Sequence, residues 1–273
     1  MMRPHFVALL LLLLASVTVH AQEYDVYILA GQSNMDGRGK SADLTPPLDS
    51  PQKNVRFYYQ NGVHSTNGWI DLTPGYAIAP GHKAELPGTT FGPEIGVGAA
   101  LAKAQPDRKI AILKISRGGT SLAKDWKIGT PDEPATQGPL YKEFHEGVPK
   151  ALKMLKDGGD TYVLRAMIWH QGESDSTSTE EVYTKLLTDF IARVRKDIDQ
   201  PELPFIIGEV YDNKKRDSIL AAQKAVSKTV PNTALASAAD LKTWDNGTHF
   251  DAASQLILGE RLAAEALKFV QKK

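Results

Sequence analysis

Apolar residues along the chain fall into two alternating rhythms. The segment Tyr24–Ala30 (YDVYILA) is a short apolar run closed by Gly31, which predicts a buried strand. Val55–Tyr59, Lys109–Ile115 (KIAILKI), Tyr162–Trp169 (YVLRAMIW), Phe205–Val210 (FIIGEV) and Thr233–Ala236 are rich in β-branched and aromatic residues and predict further strands. Asn61-Gly62 predicts a turn back toward Trp69-Ile70. Between these runs the spacing becomes helical, over Pro93–Lys103, Tyr141–Leu155, Glu180–Ile198, Ser218–Lys228 and Ala252–Lys272. In the last, Leu256, Gly259, Ala263 and Leu267 share one face. Pro93 suits a first helical turn, and Glu94 complements the helix dipole there.

Strands alternating with helices of ten or more residues predict an α/β fold. The expected architecture is a three-layer α/β/α sandwich around a central parallel sheet, with its site beyond the carboxyl ends of the strands. Two polar, Pro/Gly-rich stretches interrupt the alternation, from Asp36 to Gly92 and from Leu122 to Gly138. Both are long for connections in a compact domain, and each follows a candidate site motif, so they are expected to wall a substrate pocket. Trp69 and Trp126 lie in them, either to stack on sugar faces or to anchor the loops.

The N-terminus adds a compartment. One Arg within Met1–His5 precedes an apolar run from Phe6 to Val17, and Val19-His20-Ala21 offers small residues where a signal peptidase reads them. The run is too short to span about 30 Å of hydrocarbon comfortably. Residues 1–21 are therefore expected to be a cleaved signal peptide, and 22–273 a single soluble domain, secreted or periplasmic, with no membrane attachment after cleavage. With 32 acidic and 32 basic residues, the chain carries no electrostatic footprint for nucleic acid. It contains no cysteine, which rules out disulfides, a lipoprotein anchor, a thiol nucleophile and thiolate metal sites.

Candidate chemistry sits at four strand ends. Gly31-Gln32-Ser33-Asn34-Met35 follows the first strand, where a sharp turn presents a serine hydroxyl above the sheet; a helix cap is the plain alternative. Ser116-Arg117-Gly118-Gly119-Thr120 follows KIAILKI, and a glycine pair exposes backbone N–H groups as an oxyanion hole requires. Trp169-His170-Gln171-Gly172-Glu173-Ser174-Asp175 follows YVLRAMIW. Its Gln171 amide is a candidate oxyanion donor, and Glu173 a supporting hydrogen-bond acceptor. His170, with no second His at metal-ligand spacing, reads as structural. Trp244-Asp245-Asn246-Gly247-Thr248-His249-Phe250-Asp251 precedes the last helix, with a His to take the serine proton and a carboxylate nearby to fix its tautomer.

Taken together, these blocks resemble those of the SGNH-hydrolase superfamily, in the branch of sialate O-acetylesterases and family-six carbohydrate esterases, which includes acetylxylan esterases. GQSNM at 31–35, GGT at 118–120, WHQGESD at 169–175 and the His of GTHFD at 247–251 carry the resemblance, which runs from about Tyr24 to the C-terminus. It implies a flavodoxin-like fold and hydrolysis of carbohydrate acetyl esters, with Ser33 as nucleophile and His249 as base. The oxyanion would be held by the N–H groups of Ser33 and of Gly119, or Gly118, together with the Gln171 amide, with Gln32 and Glu173 as site support. No cofactor and no metal are implied. The partner is an acetylated oligo- or polysaccharide. The chain departs from the superfamily in two ways: Gln171 replaces the usual Asn, and Asn246 stands three residues before the His where an Asp is usual. The third role therefore goes to Asp245, four residues before, with Gly247 supplying backbone freedom; Asp240 and Glu173 are its rivals.

Two other readings compete. A GDSL-type lipase or thioesterase would need an acyl-chain groove, which polar, proline-rich loops do not suggest. A non-catalytic carbohydrate-binding protein with a decayed site would not be expected to keep Ser, Gln and His together.

Overall fold

The computed structural model describes residues 21–77, 90–130, 133–245 and 247–270. The predicted leader, apart from Ala21, lies outside these residues, as do the last two residues of the predicted final helix. Strands β1 (Glu23–Gly31), β3 (Gln52–Gln60), β4 (Ile70–Leu72), β6 (Lys109–Ser116), β7 (Thr161–His170), β8 (Phe205–Gly208) and β9 (Thr233–Ala236) form one sheet in the order β4-β3-β6-β1-β7-β8-β9. Two short strands, β2 (Gly39–Lys40) and β5 (Thr90–Phe91), pair apart from it. Helices are α1 (Ser33–Asp36), α2 (Glu94–Ala104), α3 (Pro139–Asp157), α4 (Glu180–Asp197), α5 (Asp217–Thr229) and α6 (Ala252–Val270).

The apolar runs become strands because both faces of the sheet are covered. Along β1, Val26, Ile28 and Ala30 pack with Tyr141 and Phe144 of α3, Phe190 of α4 and Ile219 of α5. The alternate residues Tyr27 and Leu29 pack with Ile95 and Val97 of α2 and Leu258 and Leu262 of α6. Three helices on one face and two on the other make the expected α/β/α sandwich, the architecture that leaves a parallel strand no polar face.

The sheet differs from the expectation at one edge. β4 runs antiparallel to β3, so the sheet is mixed, while the remaining neighbours pair parallel. The connection from Gln60 to Ile70 is too short for a crossover, which needs a dozen or more residues, and a short return can only be antiparallel. The predicted strand at Phe205–Val210 stops at Gly208. Beyond it, Val210 N–H leaves the ladder and donates to Gln223 Oε1 at 3.1 Å.

Lys114, inside an otherwise apolar strand, is fully buried. Its ammonium donates to Glu94 Oε2 (2.8 Å) and to the Asp36 carbonyl (2.7 Å), so the charge is paired where water is excluded. Glu94 thus does more than answer the helix dipole, since its other oxygen accepts from Gly92 N–H at 3.0 Å.

The two long stretches are more ordered than their composition suggests. The first holds β2, β3, β4 and β5. In the second, Trp126 is fully buried, 5.0 Å edge-on from Trp169, and its indole N–H donates to Thr120 Oγ1 at 3.1 Å. That overturns a sugar-stacking role for Trp126. Trp69 is half-buried, tilted against Tyr58, and donates to the Ala151 carbonyl of α3 at 2.8 Å, so it too anchors its loop. No helix among the described residues is long and apolar enough to cross a membrane.

The carboxyl ends of β6, β1 and β7 lie side by side, with Gly31 paired to Ser116 on one flank and His170 on the other. From β1 the chain fills β3, β4 and β6 on one side and then crosses over to β7, β8 and β9 on the other. The strand order therefore reverses at β1, where such sheets open a crevice.

Candidate active site

Ser33 opens α1 directly after β1. The turn is tied to the neighbouring strands: Gln32 N–H donates to the His170 carbonyl (3.0 Å), and Arg117 N–H to the Gly31 carbonyl (3.1 Å). As the first residue of a helix, Ser33 has a backbone N–H without an intrahelical acceptor.

Across the crevice, the segment before α6 folds back on itself. Trp244 N–H donates to the His249 carbonyl (3.0 Å) beside a bridge between Thr243 and Phe250. This brings His249 Nε2 to 3.1 Å from Ser33 Oγ, and His249 Nδ1 to 2.7 Å from Asp245 Oδ2. The other Asp245 oxygen accepts from Thr248 N–H (2.9 Å) and His249 N–H (2.8 Å), while Gly247 takes φ of 85°. The extra residue between acid and base is thus absorbed in a tight turn. Burial pushes the Asp245 carboxyl up, but the backbone N–H groups of His249 and Thr248 and the His249 ring outweigh it. The net displacement is below the usual carboxylate range, so Asp245 is ionised and orients the imidazole.

The rival carboxylates are occupied elsewhere. Asp240 is exposed and pairs with Arg261 at 2.9 Å, and Glu173 accepts from Asn34 Nδ2 at 2.6 Å. His170 is fully buried, its Nε2 bonded to the Glu209 carbonyl at 3.1 Å, which fits the structural reading.

The glycine pair divides its work. A Cβ on Gly118 would run into Arg38 Nη2, whereas one on Gly119 would meet nothing within 4 Å. Gly119 takes φ of 72°, a conformation glycine adopts without strain, and it lies exposed at the end of β6 with no side chain to block an approaching ligand. Gly118 is small because an arginine lies against it.

Gln171 takes a different role from the one expected. It is fully buried, and its Nε2 faces three acceptors: Asp175 Oδ2 (2.6 Å), Gln32 Oε1 (3.1 Å) and the Thr120 carbonyl (3.1 Å). Its Oε1 accepts from Tyr183 at 2.9 Å. With both amide hydrogens engaged, no donor is left for an oxyanion. Gln171 instead joins the three loops that carry Gln32, Thr120 and Asp175. Gln32 Oε1 also accepts from Ser174 N–H (3.1 Å), which makes it part of the same support.

A family model for carbohydrate esterases, described as sialic acid-specific acetylesterases, matches residues 23–268. The chain belongs to this family. It is accordingly a carbohydrate esterase, a hydrolase of carboxylic esters, of the SGNH-like branch the motifs resemble. A probable carbohydrate esterase of Arabidopsis thaliana is 26% identical over 262 residues, covering 87% of this chain and 88% of the relative. The solved structure of an Arabidopsis protein superposes with a TM-score of 0.69 at 22% identity, covering 91% of this chain and 99% of that one. The crystal structure of NanS gives 0.67 at 16% identity, covering 93% and 100%. At these identities the two structures support the shared α/β sandwich.

Four residues of this esterase site carried no role in the sequence reading. Asn34 is fully buried; its Nδ2 donates to the Thr248 carbonyl (2.8 Å) and its Oδ1 accepts from Phe250 N–H (3.1 Å), so it grips the loop on both sides of His249. Arg216 holds that loop from behind, through the Gly247 carbonyl (3.0 Å) and Thr248 Oγ1 (3.2 Å). Trp244 is 54% exposed and stacked on the His249 ring, 5.7 Å between centroids. Arg38 lies under Gly118. Trp244 was visible as an aromatic residue in the His block; the others give no local signal.

Burial lowers the His170 pKa below its usual 6.5, against the opposing pull of Glu173. Below about pH 6.5 the unfolded chain therefore takes up a proton that the folded protein refuses. The resulting stability is fully present above that pH and is lost as the pH falls. Urea midpoints measured between about pH 7.5 and 5.5 should drop in the wild type and drop less in His170→Gln. Equal drops would show that His170 does not carry this dependence.

Proposed function

We propose that the protein is a secreted serine esterase that removes acetyl groups from oligo- or polysaccharide through an acetyl-Ser33 intermediate. The observation that carries this reading is the continuous hydrogen-bonded line Asp245–His249–Ser33. Ser33 Oγ attacks the acetyl carbonyl carbon as its proton passes to His249 Nε2, and Asp245 steadies the imidazolium. The N–H groups of Ser33 and Gly119 hold the oxyanion. Collapse of the intermediate expels the sugar oxygen, which takes the proton back from His249. Water, deprotonated by the same His249, then attacks the acetyl-Ser33 carbonyl, and acetate leaves as Ser33 recovers its proton. The steps require no cofactor or metal. Among the described residues, no group of three or more His, Asp and Glu is placed to hold a metal ion.

A carbohydrate leaving group is supported by the family and by Trp244, whose outer face offers an apolar platform beside the base. Export is supported by the leader-like sequence at 1–21. The N-terminus of the exported protein should be Gln22 or its pyroglutamate, read by mass spectrometry of the N-terminal peptide; an intact N-terminus on exported protein would contradict cleavage.

Acetate release from 4-nitrophenyl acetate and from acetylated xylan tests the reaction. Ser33→Ala should lose roughly 10³-fold or more in kcat on both, and Asp245→Asn should fall by a comparable order while remaining folded. Trp244→Ala should raise KM for the xylan several-fold and leave the small ester nearly unchanged. Full activity of Ser33→Ala on both esters would remove the nucleophile assignment.

A further inference from the structure

Ser33 opens a helix too short to hold itself. α1 runs only from Ser33 to Asp36 and is closed by the bonds from Asp36 N–H to the Gln32 carbonyl (2.7 Å) and from Gly37 N–H to the Ser33 carbonyl (2.8 Å). A single turn fixes several backbone dihedrals for few bonds and is unstable alone. The Gln32 side chain makes no capping bond; it faces Gln171 and Ser174 instead. The constraint on α1 must therefore come from its other end.

Asp36, 1% exposed, is that end. Its Oδ1 accepts from Tyr59 of β3 (2.6 Å) and from Ser116, the last residue of β6 (3.1 Å), and its Oδ2 accepts from Arg38 Nη1 (2.9 Å). Its carbonyl accepts from Lys114 Nζ of β6 (2.7 Å), and Lys114 is paired in turn with Glu94. Tyr59, Ser116 and Lys114 are buried. Burial, and after it the charge of Asp36, holds the Tyr59 phenol well above its usual 10, so it stays a donor. The chain beyond has no slack, because a Cβ at Gly37, with φ of 118°, would run into the Phe91–Gly92 backbone. Hydrogen bonds to an ionised acceptor are the stronger kind, and several converge on one carboxylate three residues from Ser33.

We propose that Asp36 is a positioning residue for the nucleophile: its carboxylate, gripped by Tyr59, Ser116 and Arg38, fixes α1 so that Ser33 Oγ meets His249 Nε2. This role rests on the esterase reading, in which Ser33 is the nucleophile. The bond to Ser116 also ties the Ser33 turn to the strand whose next loop carries Gly119. Displacing reacting atoms by about 1 Å can cost roughly 10²-fold in rate, so the effect should be read in the reactivity of Ser33.

The test labels the full-length protein with a fluorophosphonate. Ser33 Oγ bonds to phosphorus as fluoride leaves, and the serine proton passes to His249. Intact-mass spectrometry reads both the label bound per chain at completion and the rate of labelling. Wild type should take one label, on Ser33. Asp36→Asn, whose amide offers one acceptor oxygen in place of two, should still reach one label per chain, at a rate lowered roughly ten- to a hundredfold. A purely structural Asp36 would instead lower the fraction of chains labelled and leave the rate of the remainder unchanged. That result, or a wild-type rate in Asp36→Asn, would overturn the assignment. Should Asp36→Asn fail to fold, Tyr59→Phe and Ser116→Ala, each deleting one bond to Oδ1, should each slow labelling several-fold; unchanged rates in both would overturn it. A folded wild type that takes no label on Ser33 would sink the esterase reading itself, and the positioning role with it, so the two failures are distinguishable.

Discussion

The site depends on one buried amide. Asn34, next to Ser33, bonds both the Thr248 carbonyl and the Phe250 N–H, and so fixes the segment that carries His249 against the turn that carries Ser33. Ser33 and His249 are 216 residues apart in the chain. Two loops held that far apart in sequence keep a 3.1 Å contact only if something rigid spans them. Asn34 is itself held by Glu173 at 2.6 Å, from the loop after β7. The ends of β1 and β7 and the segment before α6 therefore act as one body.

A second buried amide performs the corresponding task on the other side. Gln171 joins Gln32, the Thr120 carbonyl and Asp175, and Asp175 accepts in turn from Leu122 N–H at 2.7 Å. The loop after β6, which presents Gly119, is thus fixed relative to the turn after β1. The positions of the groups at this sheet edge come from buried polar networks that tie the loops together. The buried charges nearby pair locally, Arg38 with Asp36 and Lys114 with Glu94.

Most of the fold was legible because the central strands β1, β6 and β7 carry long apolar runs and the long helices carry apolar residues at helical spacing. Thr233–Ala236 has the bounds expected, and the other strands differ from expectation by a few residues at their ends. The antiparallel edge strand β4 was legible only as the far side of the Asn61-Gly62 turn. The blocks holding Ser33, Gly119, Gln171 and His249 were legible as chemistry at strand ends. What a sequence hides is direction. Trp126 and Trp69 look like pocket aromatics because they sit in polar loops, yet they anchor those loops, while Trp244 faces solvent. Gln171 looks like a donor to substrate because amides can donate, but three acceptors surround it. Asp245 was the first choice to support His249, with Asp240 and Glu173 as rivals, and distance separates it from both.

The most direct test of the account is to trap the covalent intermediate. Enzyme quenched in acid within milliseconds of mixing with excess 4-nitrophenyl acetate should carry one acetyl group, which peptide mass spectrometry should locate on Ser33 and which should be missing in Ser33→Ala. Acetyl transfer through another residue, or full turnover by Ser33→Ala with no acylated enzyme, would contradict it.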